Sequence, residues 1–197
     1  MNLQYASALI VSSIISFYLS VVAWRRRPAP GASGLAVIMF ALFFWSLTYA
    51  FRWMTNSTDA ELIWLKLTYF SVVLAPSAML VFAFQFVQYE QYLKPRWLVI
   101  LTIEPLITLL LLWTDPLHGI FSGGQQSTNA ILNGGFWFWF NAVYSFCLLI
   151  IANVILIKYM QQAPKISRQQ TRTIIFGFLI PIVGTFIGIA HISPFHE

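Results

Sequence analysis

The feature that most constrains this chain is a series of six long apolar runs, at about residues 3–24, 34–54, 60–89, 97–113, 136–160 and 173–192, separated by connections that carry most of the charge. A run of about 20 apolar residues matches the hydrocarbon thickness of a bilayer when wound as a helix. Inside lipid every backbone N–H and C=O must find its partner within the protein, and a helix achieves this within one segment. With 59% hydrophobic and 9% charged residues, the chain has too little polar surface for a water-soluble fold, where about a quarter of residues are charged. The expected fold is an all-α polytopic membrane bundle of six predicted transmembrane helices, forming one membrane domain over residues 1–197.

Charge gives this bundle a direction. Of the eleven Lys and Arg residues, nine (Arg25, Arg26, Arg27, Lys94, Arg96, Lys158, Lys165, Arg168 and Arg172) fall on one side of the alternating spans, leaving Arg52 and Lys66 toward the other. Cytoplasmic loops carry the excess of Lys and Arg, so both the N-terminus and the residues after the sixth span are expected outside, in a multi-pass protein of the cell inner (plasma) membrane. The first run has no basic residue before it and three after it. A cleaved signal peptide would show the reverse order, so this run reads as a retained helix. The net charge of +5 is thereby spent on topology, and no nucleic-acid partner is expected.

The connections are short except one. Pro28, Pro30 and Gly31 turn the chain after the first span, and Thr58-Asp59-Ala60-Glu61 fits a capping box opening the third. Pro76, Pro105 and Pro181 lie inside spans, where each removes a backbone hydrogen bond. Gly177, Gly184 and Gly188 read as a kink or a close-packed face of the sixth helix. Cys147 has no second cysteine to pair with and reads as a small buried hydrophobe. The long connection is the outer loop 114–135, with Asp115 and His118 near its start and Phe136-Trp137-Phe138-Trp139 after it. Loops of this length are uncommon in a compact protein unless they are functional or disordered.

Six residues stand out as a candidate ligand or stimulus site: Lys66, Glu104, Asp115, His118, Trp137 and Trp139. Glu104 lies roughly 10 to 14 Å from either end of its span and Lys66 about 9 Å into the third helix, taking 1.5 Å per residue. Ionisable groups at such depth are expensive unless paired, and they mark function by default. Lys66 and Glu104 can therefore pair with each other. Otherwise Lys66 extends toward the outer interface or Asp115, and Glu104 is protonated and bonds to a neighbouring helix or donates to the carbonyl freed near Pro105. Asp115 and His118, with His191 and His196 further on, include metal-ligating types, but their spacing matches no compact metal signature. Turn chemistry, with His118 bonding backbone, is the plainer reading, and no metal or cofactor is expected. His118 is also a pH-sensitive group by type. Trp137 and Trp139 read as an interfacial belt that can also wall a pocket, and Asn141 and Asn153 as interhelical hydrogen-bonding groups flanking Tyr144.

The ordered set Trp24-Arg25-Arg26-Arg27, Trp45-Ser46-Leu47-Thr48-Tyr49-Ala50, Trp64-Leu65-Lys66 with Pro76, Pro105, Thr114-Asp115-Pro116-Leu117-His118, Phe136–Trp139, and Gly177 with Pro181 resembles the N-terminal seven-transmembrane-helix sensor region of bacterial histidine kinases. The resemblance covers almost the whole chain and stops before the seventh helix and all kinase domains. Against that family, Glu104 replaces an apolar residue and Asp115 a frequent Asn. The resemblance implies a sensory input module of a two-component signal transduction system. Such a module perceives an extracytoplasmic or intramembrane stimulus and relays it by helix movement to a cytoplasmic kinase or other signalling domain. It implies no catalytic residues and no enzyme activity in this chain. The bilayer, an unidentified small-molecule or physical stimulus and a second copy of the chain complete the expected partners. The competing reading is a small transporter or channel using Lys66 and Glu104. Transporters commonly carry internal repeats with broken helices, and none is visible here.

Overall fold

The computed structural model describes residues 3–124, 127, 128, 131, 134–162, 164 and 168–179. Among these the chain is wholly helical, with α1 (Leu3–Arg25), α2 (Ala32–Met54), α3 (Thr58–Phe86), a 3-10 turn (Glu90–Tyr92), α4 (Pro95–His118) and α5 (Phe136–Gln162), followed by α6 over residues 168–179. Helices α1 to α5 are each long and apolar enough to cross a membrane. They make a helical membrane bundle. Of the expected sixth span 173–192, residues 180–192 lie outside the described residues, as do His191, His196 and Pro181. Gly177 is described, and a Cβ there would meet nothing within 4 Å among the described residues.

Helix α3 is the centre. It packs against α2, α4 and α5 and buries residues all round, from Leu65 and Tyr69 through Val73 to Phe82 and Ala83. At one end, Ile38, Ala78, Phe82, Leu148, Leu156 and Phe178 form a core joining α2, α3, α5 and α6. At the other, Leu65, Tyr69, Leu112, Phe121 and Ile131 form a second core. The remaining helices keep a broad apolar outer face, including Ile14, Tyr18, Val99, Leu106, Leu110 and Val143. Such a face suits acyl chains as its solvent.

Close backbone approach fixes the α2–α3 pair. A Cβ at Gly34 would lie 2.7 Å from the Phe82 Cα, so only glycine lets the two helices meet there. Gln85 of α3 then caps α2, its Oε1 accepting from the Gly34 N–H (2.9 Å) and the Ser33 hydroxyl (3.0 Å). Near the opposite end, the Thr68 hydroxyl donates to Thr48 Oγ1 (3.0 Å) and Arg52 pairs with Glu61 (2.9 Å).

Several local expectations change. The start of α3 is capped from Ser57, not Thr58: the Glu61 N–H donates to the Ser57 carbonyl (2.9 Å). The Glu61 carboxylate is occupied by Arg52, so the reciprocal side-chain bonds of a capping box do not form. Pro105 does free the Leu101 carbonyl, but the Ser77 hydroxyl of α3 donates to it (3.4 Å), leaving Glu104 for another task. Cys147 faces outward and is exposed, so it covers the apolar exterior of α5 rather than filling the core. The loop expected from residue 114 begins only after His118, because α4 carries Asp115, Pro116 and Leu117 in its last turn before Gly119 (φ +66) ends it in the left-handed region.

Candidate functional site

Two buried carboxylates lie on the same face of α4, about three turns apart, and they differ in every respect that bears on function. Asp115 is 1% exposed and sits at the C-terminal end of the helix, where the backbone dipole disfavours a negative charge. The chain after the helix reverses this penalty by folding over the side chain. Oδ1 accepts from the backbone N–H of Phe121 (2.6 Å) and Ser122 (3.2 Å). Oδ2 accepts from the Ser122 hydroxyl (2.5 Å), the Ser122 N–H (3.2 Å) and the Gly124 N–H (3.1 Å).

The turn held in this way is also the start of α5. Ile120 and Phe121 offer their carbonyls to the N–H groups of Trp137 (3.2 Å) and Gly135 (2.6 Å), amides that the first turn of a helix leaves without internal partners. A Cβ on Gly135 would stand 2.8 Å from the Phe121 carbonyl oxygen, so glycine is required for this approach. The Phe121 ring, fully buried, meets Tyr69 of α3 and Phe138 of α5 edge-on at 5.4 and 6.3 Å. His118 completes the cap. Its Nδ1 accepts from the Ile120 N–H (3.0 Å), so Nε2 carries the proton and donates to Thr114 Oγ1 (2.9 Å), whose own proton goes to the Leu110 carbonyl (2.7 Å). Asp115 and His118 thus form the helix cap that turn chemistry suggested, and among the described residues no group of three metal-ligating side chains gathers.

Glu104 is 8% exposed and is bound by α5. Its Oε1 accepts from the Asn141 amide (2.8 Å) and from the Thr108 hydroxyl (2.7 Å), and Thr108 in turn accepts from the Trp137 indole N–H (2.8 Å). The result is a polar chain, Trp137 to Thr108 to Glu104 to Asn141, that crosses twice between α4 and α5. The other carboxylate oxygen, Oε2, is buried with no hydrogen-bond partner among the described residues. Tyr144, about one turn beyond Asn141, lies in the electrostatic range of Glu104 and beside Ser77 of α3. An unserved buried oxygen is costly, so this is where the bundle retains capacity to accept one more donor.

Lys66 and Glu104 do not come together: among the described residues no ion pair joins them. Lys66 is buried, with its ammonium 5.7 Å from the centre of the Trp113 ring. It lies at a groove of about 360 Å³ between α2, α3 and α4, walled by Phe40, Phe44, Phe70, Leu109 and Trp113. Trp137 turns inward to Thr108, whereas Trp139 is 49% exposed and belongs to the outer aromatic surface. Asn141 crosses between helices as expected. Asn153 does not, its amide donating to Leu149 of its own helix (2.9 Å). Thr108 was missed by sequence reasoning. Its signal was its position four residues after Glu104, the spacing that brings two side chains onto one helix face.

The geometry defines a membrane-embedded helical protein whose buried polar groups join neighbouring helices and assemble no catalytic constellation among the described residues. Residues 8–197 match the family described as the N-terminal 7TM region of histidine kinase, and the chain belongs to that family. The match spans the sensor region and includes no kinase catalytic domain. No curated protein and no solved structure matches the chain.

Proposed function

We propose that this chain is the sensory input part of a histidine-kinase-type signalling system, with the stimulus acting on the outer half of α4 and α5. It sits in the inner membrane with its N-terminus outside, carries no catalytic function of its own, and passes a shift of α5 against α4 to a cytoplasmic kinase or other signalling domain. A second copy of the chain is a natural partner for such a relay. Lys66, Glu104, Asp115, His118, Trp137 and Trp139 surround the responsive region, in different roles. Asp115 and His118 hold the cap, Trp137 reports its position to Thr108, and Glu104 is the receiving group.

The observation that carries this reading is the half-used Glu104 carboxylate. One oxygen holds Thr108 of α4 and Asn141 of α5 while the other has no donor among the described residues. A donor arriving at Oε2 would compete for the charge that binds Asn141 and the Thr108–Trp137 branch, and so change the grip of α4 on α5. An effector must distinguish two states to shift a population between them, and this contact differs between a served and an unserved Oε2.

Phosphorylation is the test. The native gene product, with any kinase in the same polypeptide or co-purifying with it, is reconstituted in liposomes, and phosphohistidine is measured for wild type and Glu104→Gln. A change of about threefold or more in basal phosphorylation is expected. Absence of any associated phosphohistidine, together with solute flux through the same liposomes, would transfer the protein to the transporter reading.

A further inference from the structure

A second groove shares Phe40 with the first and runs from there toward Arg25. It runs between α1 and α2, encloses about 390 Å³, and is walled by Phe17, Val21 and Trp24 of α1 and Val37 and Phe40 of α2, with Arg25 at its mouth. From Phe17 to Arg25 it extends about 12 Å along the helix axis, parallel to the acyl chains of the surrounding leaflet. Its one hydroxyl, on Ser20, is spent on the Ala36 carbonyl (2.8 Å), so the interior offers apolar surface only. The end of the slot is the opposite: Arg25 lines it, Arg26 and Arg27 follow it in the chain, all three are exposed, and among the described residues none of them forms an ion pair. Arg27 stacks over the Trp24 ring at 4.3 Å, which holds the indole as the upper wall, at the depth where tryptophan marks the membrane interface.

An apolar slot as long as part of one acyl chain, lined at its end by Arg25 with Arg26 and Arg27 next in the chain, is complementary to an anionic amphiphile. We propose that this groove binds one anionic glycerophospholipid of the leaflet that holds the arginine end of α1. The phosphate lies against Arg25 and Arg26, and one acyl chain lies between Phe17 and Val21 on one side and Val37 and Phe40 on the other. Guanidinium groups suit phosphate oxygens by their paired donors, and basic residues next to a membrane helix attract anionic headgroups. A zwitterionic lipid would fill the slot with the same chain but bring a compensating positive charge to the mouth. The site is independent of the Glu104 relay and stands whether or not the chain is a sensor.

Native mass spectrometry of the full chain, released from detergent after incubation with equimolar phosphatidylglycerol and phosphatidylcholine of identical chains, tests this. The wild type should retain one phosphatidylglycerol in preference to phosphatidylcholine by about tenfold or more. The triple variant Arg25→Gln, Arg26→Gln, Arg27→Gln should lose the preference. A double variant Val21→Phe, Val37→Phe, which fills the slot and keeps the arginines, should lose retention of both lipids. Inorganic phosphate at millimolar excess should leave the lipid bound, because it brings no chain. Melting curves accompany each variant, and Val21→Leu serves as a milder filling if the double variant fails to fold. Equal retention of both lipids by the wild type would overturn the proposal. So would a preference that survives filling of the slot, because it would reduce the site to surface attraction by the arginines.

Discussion

Asp115 and Glu104 occupy one face of one helix and are both buried, yet one is finished and the other is not. Both oxygens of Asp115 are served by donors from the turn that follows it, whereas Glu104 uses one oxygen to bind two helices and has no donor to the second among the described residues. The difference separates burial from availability. A carboxylate wrapped by its own chain is a structural pin, and a carboxylate held only on one side can answer a change in its surroundings. Their connection is physical, since the turn pinned by Asp115 positions the start of α5, and Trp137 and Asn141 on that helix reach Thr108 and Glu104.

Removing the pin is expected to have the largest effect on stability. Asp115→Ala leaves three backbone N–H groups and the Ser122 hydroxyl without their acceptor, and should cost about 3 kcal/mol or more, seen as a lower melting temperature in detergent and early proteolysis within residues 119–135. Gly135→Ala comes next. Its Cβ would collide with the Phe121 carbonyl, and overpacking of this kind costs about 1–3 kcal/mol, checked by the same melting assay. Thr108→Val keeps the volume but removes the hydroxyl linking Trp137 to Glu104, with an expected loss of about 1 kcal/mol and a change in Trp137 emission read against a Trp137→Phe control. Glu104→Gln should change stability least, by under about 1 kcal/mol, because an amide oxygen can still accept from Thr108 and Asn141. If Glu104→Gln proved as damaging as Asp115→Ala, the contrast between the two carboxylates would collapse.

How much of this was legible in the sequence follows from what hydropathy records. Length and apolar content set the helices, and α1 to α5 stand within a few residues of their expected bounds except at the end of α4. There Asp115-Pro116 suggested a turn, but proline is tolerated when the helix is about to end and its neighbours can reorganise the freed carbonyl. Depth along the membrane was also readable, by counting residues from the aromatic ends. Rotation about the helix axis was not. In a membrane helix the lipid-facing side is as apolar as the core, so the periodicity that marks the buried face of a soluble helix is weak. Lys66 and Glu104 were therefore placed at similar heights but not on the right faces: Lys66 faces Trp113, while Glu104 faces Asn141. Cys147 was misplaced for the same reason. The cap was more legible, because turn chemistry is local and Asp115, His118 and Gly119 act within a few residues of one another.

The central claim is that Glu104 governs coupling while Asp115 governs folding. Phosphohistidine formation in liposomes, measured for Glu104→Gln, Asp115→Asn and wild type at equal amounts of folded protein, tests it most directly. The account predicts that Glu104→Gln melts within about 2 °C of wild type and changes basal phosphorylation about threefold or more. It also predicts that the folded fraction of Asp115→Asn melts lower and signals as wild type does. Wild-type signalling from Glu104→Gln, or altered signalling from Asp115→Asn alone, would contradict it.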